Sequence, residues 1–169
     1  VVGTDGSVGP GAGSFLTPGT IAGAEASGVS AIILVDNSRT GGDDGTSNLI
    51  DAVVQGDGTL NLAGGQVLIA MIGGETFDLA TLGLSAGGAP ASLRLTGINT
   101  GTSVTASDPA IDSVRPILTT SGANNTVELA GNATLQNVII ANAGSGAGIL
   151  ASYGAGSDAV IRSSTIGGG

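Results

Sequence analysis

Oxygen ligands crowd one stretch of this chain. Asp36, Asn37, Asp43, Asp44 and Asn48 fall between two apolar runs, on a segment broken by Gly41, Gly42 and Gly45. Carboxylates and carboxamides on a Gly-rich loop are what Ca²⁺ takes. The spacing fits neither the EF-hand nor the nonapeptide calcium repeat, so these five are candidate calcium ligands set against a plainer reading as a solvated turn. Calcium is the one cofactor the sequence suggests. Further acid pairs are Glu75 with Asp78 and Asp108 with Asp112. Paired carboxylates can serve as acid and base in glycoside cleavage. Here each pair, like Asp43-Asp44, sits in a turn-like segment, where Asp favours local backbone hydrogen bonds. The chain has no His, Cys or Lys, so proton transfer would fall to carboxylates, Tyr153 and four Arg. Glu128 is the only acid inside a repeated strand. No row of polar residues recurs on successive strands, and the expectation is that the protein is not an enzyme.

The elements that carry these residues are set by composition. Hydrophobic residues make up 41% of the chain but aromatics only 2%. The core must then be filled by Val, Ile, Leu and Ala, which suits flat stacked layers better than a globule around large rings. Glycine accounts for 32 of 169 residues, well above the usual share of about 7%. No three-residue period accompanies it, and its expected role is the φ > 0 turns between strands. The net charge of −9 and the lack of a basic patch with aromatics argue against nucleic acid. No apolar run is long enough to span a membrane. The start, Val1-Val2-Gly3, has no charged-then-apolar signal pattern, and the chain reads as a processed or excised segment.

The chain divides by pattern. Residues 1–16 are Gly-rich and read as an irregular lead-in. Residues 17–26 read as a short helix, with Thr17 as N-cap and Pro18 at the first helical position. Ala31-Ile32-Ile33-Leu34-Val35 has the pattern of a buried strand. Leu60-Asn61-Leu62 alternates, Gly64-Gly65 turns, and a second apolar run follows from Gln66. Ser92 to Ile98 alternates again. The pattern fades over 100–116, which reads as a protruding loop. From Ile117 short apolar runs recur: Val127-Glu128-Leu129, Thr134 to Ile140, Gly148 to Ala151, Ala159 to Ile166. Ala133 to Ile140 lies over Ala159 to Ile166 at an offset of 26 residues. Such a repeat of strands and tight turns is a parallel β-helix signature, and each coil must stack on neighbours to bury its apolar face. The run TLQNVII is apolar on both parities, so its inward face stays open. Asn124, Asn125, Asn132, Asn137 and Asn142 are expected in turns, where Asn tolerates left-handed φ and can stack along an axis. Thr residues form no regular ladder, so an ice-binding face is not indicated.

In this order the pieces resemble the amino-terminal part of right-handed β-helix domains of the pectate-lyase-like superfamily, as in secreted bacterial surface proteins and autotransporter passengers. Gly19 to Ala26 is similar to their opening Ala-rich helix, and Ala31 to Asn37 to their first strand. Leu60 to Ile69 is similar to a strand–Gly–Gln–strand unit, and Val127 to Ile140 to the first regular repeat. The resemblance implies an extracellular or cell-surface setting and an all-β, right-handed parallel β-helix with a short N-terminal capping helix. It implies no activity, because one fold hosts many functions.

The expected layout is a lead-in over 1–16 and a β-helix domain over 17–169. Within it lie the cap helix at 17–26, early coils over 31–98, the loop at 100–116 and regular coils over 117–169. The expected role is structural or adhesive. The last coil, with Ala159, Val160, Ile161, Ser163, Thr165 and Ile166, is the expected assembly edge, open to further coils or to another subunit of a filament or surface layer. The alternative is a module that binds or cleaves surface polysaccharide. Phe15, Phe77 and Tyr153 are its only aromatics for stacking on sugar rings, which favours the structural reading.

Overall fold

A computed structural model describes residues 2–7, 19–35, 49–56, 58–71, 76–78, 92–94, 115–154 and 156–167. Its elements, in chain order, are β1 (Val2–Ser7), α1 (Ile21–Ala26), β2 (Ala31–Val35), β3 (Leu49–Asp51), β4 (Leu60–Leu62), β5 (Val67–Ala70), β6 (Thr76–Asp78), β7 (Ser92–Arg94), β8 (Ile117–Thr120), β9 (Val127–Leu129), β10 (Thr134–Gln136), β11 (Ile139–Asn142), β12 (Ile149–Ala151), β13 (Val160–Arg162) and β14 (Thr165–Gly167). The protein is mostly β, and α1 is the one helix among the described residues.

The strands form three parallel sheets and one antiparallel pair. The first sheet runs β1-β2-β5-β10-β13, the second β14-β11-β8-β3 and the third β12-β9-β4, while β6 pairs only with β7. From β2 onward, with β6 and β7 set aside, the chain visits the first, second and third sheets in that order, round after round. Parallel partners need long crossovers, and here the visits to the other two sheets supply them.

Register puts like residues in rows. Ile32, Leu68, Leu135 and Ile161 stand opposite one another across the first sheet. Ile50, Leu118, Ile140 and Ile166 do so in the second. Leu60, Val127 and Ile149 do so in the third. All but the last member of each row is buried in one continuous apolar cluster. Aliphatic side chains of similar size repeat along each row, which is how a core with so few rings stays filled.

The run TLQNVII is two strands, not one. Asn137 lies between β10 and β11 with φ +56, and Ser163 lies at the same place between β13 and β14 with φ +47. The left-handed residue turns the corner and resets the alternation, so Leu135, Val138 and Ile140 all face the core. Asn132 is also left-handed, at φ +65, in the turn before β10. Ala159 to Ile166 divides in the same way.

Three boundaries differ from the sequence reading. Val2–Ser7, expected to be irregular, is a strand, because Val2 and Gly3 pair with Leu34 and Val35. The helix starts at Ile21, not near Pro18, and its N-cap is Thr20, not Thr17: the Thr20 Oγ1 accepts from the Gly23 N–H at 3.2 Å. Gly19 is extended where it bridges to Val2, so the helix begins only after it. Ser92–Arg94 is a strand, but it pairs with β6 outside the three parallel sheets. Residues 100–114 lie outside the described residues. Arg115 follows them, and its guanidinium donates to the Ala70 carbonyl.

Connections differ by corner. Two third-to-first passages, from β4 to β5 and from β9 to β10, turn tightly, while that from β12 to β13 is longer; in the first, Gln66 Oε1 accepts from the Ala63 N–H at 2.8 Å and its Nε2 donates to the Val29 carbonyl at 2.6 Å. First-to-second passages are unequal. The chain leaves β2 at Val35 and returns at Leu49, leaves β5 at Ala70 and returns at Ile117, then crosses the same corner twice through Asn137-Val138 and Ser163-Ser164. No helix among the described residues is long and apolar enough to cross a membrane.

Candidate functional site

The two ends of the stack are built differently. At the first end α1 packs on β4, and β1 lies along β2 and beside β3. Ile21 is fully buried beneath the helix. Gln55, only 8% exposed, joins these pieces: its Oε1 accepts from the Ile21 N–H at 3.1 Å and its Nε2 donates to the Gly3 carbonyl at 2.8 Å. The Glu25 carboxylate accepts from the Asn61 N–H and so covers part of the β4 edge. Buried amides need such partners, because leaving one unmade costs more than a bond contributes. Gln55→Ala is therefore expected to lower stability by about 1–3 kcal/mol. Amide hydrogen exchange should show Ile21 losing protection while β9–β11 keep theirs.

At the other end β13, β14 and β12 each pair on one side only among the described residues. Five of the six residues expected to form the assembly edge are exposed or half-exposed on or between β13 and β14: Val160, Ile161, Ser163, Thr165 and Ile166. Ala159 precedes β13 and packs against the core. Ile161 and Ile166 occupy the rows of Leu135 and Ile140, yet each is 45% exposed, against 0% and 1% for those two. The side chains hold core positions, and no further strand among the described residues pairs beyond them.

The apolar run Gly148 to Ala151, read from the sequence as a strand but not as part of the assembly edge, is β12, the third strand of this end, with Leu150 40% exposed. The signal for its pairing is the 22-residue offset from Val127 to Ile149, shared with Ile117 to Ile139 but masked by the change from Glu128 to Leu150. Ser164 was also missed: its hydroxyl accepts from the Val138 N–H at 3.2 Å and donates to the Arg162 carbonyl at 2.8 Å, pinning the exposed corner to the round beneath.

The other polar candidates divide. Asp36, Asn37, Asp43, Asp44 and Asn48, the candidate calcium ligands, lie outside the described residues, as do Glu75, Asp108 and Asp112. Among the described residues no three His, Cys, Asp or Glu come together as a metal group. Asp51 Oδ1 accepts from the Val53 N–H at 2.8 Å, as an Asp at a turn does. Glu128 accepts from Asn125 Nδ2 at 2.9 Å. It borders a shallow groove of about 320 Å³ on the third sheet, where Asn61, Ala63 and Ser152 give a small, mixed surface.

The Asn residues bond to backbone more than to one another. Asn142, 5% exposed, donates to the carbonyls of Asn124 at 2.8 Å and Ala147 at 3.0 Å, and its Oδ1 accepts from the Gly144 N–H at 2.8 Å. Thr120, its neighbour in register, is fully buried and donates to the Gly58 carbonyl. This polar corner is structural. No protein-family model, curated protein or solved structure matches the chain.

Proposed function

We propose that this chain is a right-handed parallel β-helix and serves as a structural, rod-forming module of a secreted or cell-surface protein. Three parallel sheets visited in a fixed cyclic order support the architecture, as does the constant row-by-row register. Right-handedness follows the strong preference of parallel crossovers. The surface setting follows from the resemblance carried by the helix, strand and repeat pattern. The observation that carries the role is the constant register of aliphatic rows from round to round, as in Ile32, Leu68, Leu135 and Ile161, which lets each round stack on the one before it. Each coil satisfies its backbone groups on the coils above and below, so adding coils lengthens the rod without new chemistry. The carboxylates of Glu25, Asp51 and Glu128 each accept from an amide N–H.

The test pairs electron microscopy with retention on insoluble polysaccharides. Narrow particles of uniform width that pass through the polysaccharides support the structural role. Saturable retention that Glu128→Ala weakens would favour the carbohydrate-binding alternative and overturn it.

A further inference from the structure

We infer that the outer face of the first sheet is a docking surface for a segment of this same chain, residues 72–114, which packs on β2 and β5 as a second layer outside the coils. This rests on the stacked-coil reading, which defines inward and outward, and not on the rod-forming role.

Burial on both faces of β5 carries the inference. Its inward residues, Leu68 and Ala70, belong to the continuous core. Val67 and Ile69 alternate with them and face outward. They are nonetheless 2% and 0% exposed, and they stand apart from that core. Val35 and Met71, just past Leu34 and Ala70, are likewise fully buried and apart from it. One strand further along the sheet the outward positions change character. Thr134 stands beside Val67 and Gln136 beside Ile69, and both are half-buried polar residues. A strand that is apolar throughout is one covered on both faces. Ala31 and Ile33, on the other side of β5, are half-buried, so the cover centres on β5.

The main neighbours of β5 among the described elements, β2 and β10, flank it within the sheet and leave its outer face to another segment. Residues 36–48 contain no apolar side chain. Residues 8–18 join β1 to Gly19, and both lie beyond β2, two strands or more from β5. Residues 72–114 leave from Met71, on the face itself, and return at Arg115, whose guanidinium donates to the Ala70 carbonyl. They supply Ile72, Phe77, Leu79, Leu93, Leu95 and Ile98. Within them β6 and β7 pair so that Phe77 stands opposite Leu93, Thr76 opposite Arg94 and Asp78 opposite Ser92. The two-residue period of a strand puts the apolar pair on one face of this ribbon and the four polar residues on the other. A lone two-stranded ribbon is marginal in water and needs an apolar surface to pack on. The outer face of β5 is such a surface, next to the ribbon along the chain.

The experiment uses the full chain. Met71 is its one methionine, so ¹³C labelling of the Met methyl gives a single signal. Nuclear Overhauser contacts from that methyl, and from the Ile69 methyls, to side chains of residues 75–114 are expected. Contacts to Phe15 and its neighbours instead, or none to 75–114, overturn the inference. So do contacts that isotope filtering shows to be intermolecular, which would make a second copy the occupant. Val67→Thr with Ile69→Gln copies the outer positions of β10. The chain has no Lys, and Arg115 precedes Pro116, so Arg94 is the one ready tryptic site in the segment. Cleavage after Arg94 should quicken about tenfold or more in this variant while β9–β11 keep their amide protection, since proteolysis follows the population of the open form. Equal cleavage in variant and parent overturns the inference. If the variant loses β9–β11 protection, the Met71 contacts of the parent decide. Protection of the Asn137 and Thr165 amides, which bond between rounds at 3.1 and 2.9 Å, tests the stacked coils separately, whatever covers β5.

Discussion

Gly146→Ala is expected to destabilise the protein by about 3–5 kcal/mol, at the high end for a single methyl group. The new Cβ would stand 1.9 Å from the Asn124 carbonyl oxygen and 2.5 Å from its carbon, both backbone atoms of the round beneath. Gly144 is placed alike, with the Gly122 carbonyl oxygen 2.0 Å from its would-be Cβ. Neither glycine has a left-handed φ, so the effect is one of approach and not of conformation. The two backbones are drawn together by the Ser145 N–H donating to the Gly122 carbonyl at 2.7 Å and the Thr126 N–H donating to the Ala147 carbonyl at 2.9 Å. Relief would require the corner to rise, breaking these bonds and freeing the buried Asn142. Gly154→Ala is the control: no atom lies within 4 Å of its added methyl, and the cost should stay near 0.5 kcal/mol or less. Urea titration of both variants, with m-values compared to the parent, separates the cases. Equal losses would rule out close approach as the reason for glycine at 146.

A second large effect comes from cutting the same row at two heights. Leu135→Ala should cost about 2–5 kcal/mol, since Leu135 is fully buried between Leu68 of one round and Ile161 of the next and its loss opens a cavity in the core. Ile161→Ala, one round further along, should cost about 1 kcal/mol or less, because its side chain already meets solvent and leaves no closed void. The two residues share a register and differ in exposure, 0% against 45%. Their ratio in thermal or urea unfolding therefore measures how open the end is in solution. Comparable losses would mean that something already covers Ile161 and would sink the open-end interpretation.

Much of the later half could be read from the residues alone. The 26-residue offset between Ala133–Ile140 and Ala159–Ile166 is the register of β10 on β13 and of β11 on β14. It was legible because both copies turn their corner in two residues, so length is conserved. Earlier rounds were not, because Val67 pairs with Thr134 at an offset of 67 and Leu49 with Ile117 at 68, distances that hide any repeat. β1 was missed because VGTDGS has little strand preference of its own, and pairing with β2 makes it extended. Left-handed Asn was foreseen, and Asn132 and Asn137 are so placed, but no rule of alternation could orient TLQNVII until the corner was known. Glycine was misread in part. Gly58, Gly65 and Gly122 do supply positive φ, whereas Gly144 and Gly146 are small so that two backbones can touch, a need set by the fold and invisible locally. The buried pair Thr120 and Asn142 was likewise hidden, since each looks like an ordinary strand-end polar residue until stacked. The candidate calcium residues fall outside the described segments.

One corner of the stack is permissive in a way the others are not. On two successive rounds the chain departs between the first and second sheets, spends residues 36–48 and then 71–116 before rejoining, and re-enters in register each time. On the next two rounds it closes the same gap with two residues. Loop closure grows only as the logarithm of length, about 0.6 kcal/mol per doubling, so this edge can take up whole segments for little energy. The largest changes in length thus fall along one longitudinal seam, and the rows of Ile and Leu keep their register across it. A lineage could diversify along that seam, or a designer could splice a foreign sequence into it at Asn137 or Ser163, without renegotiating a single core contact.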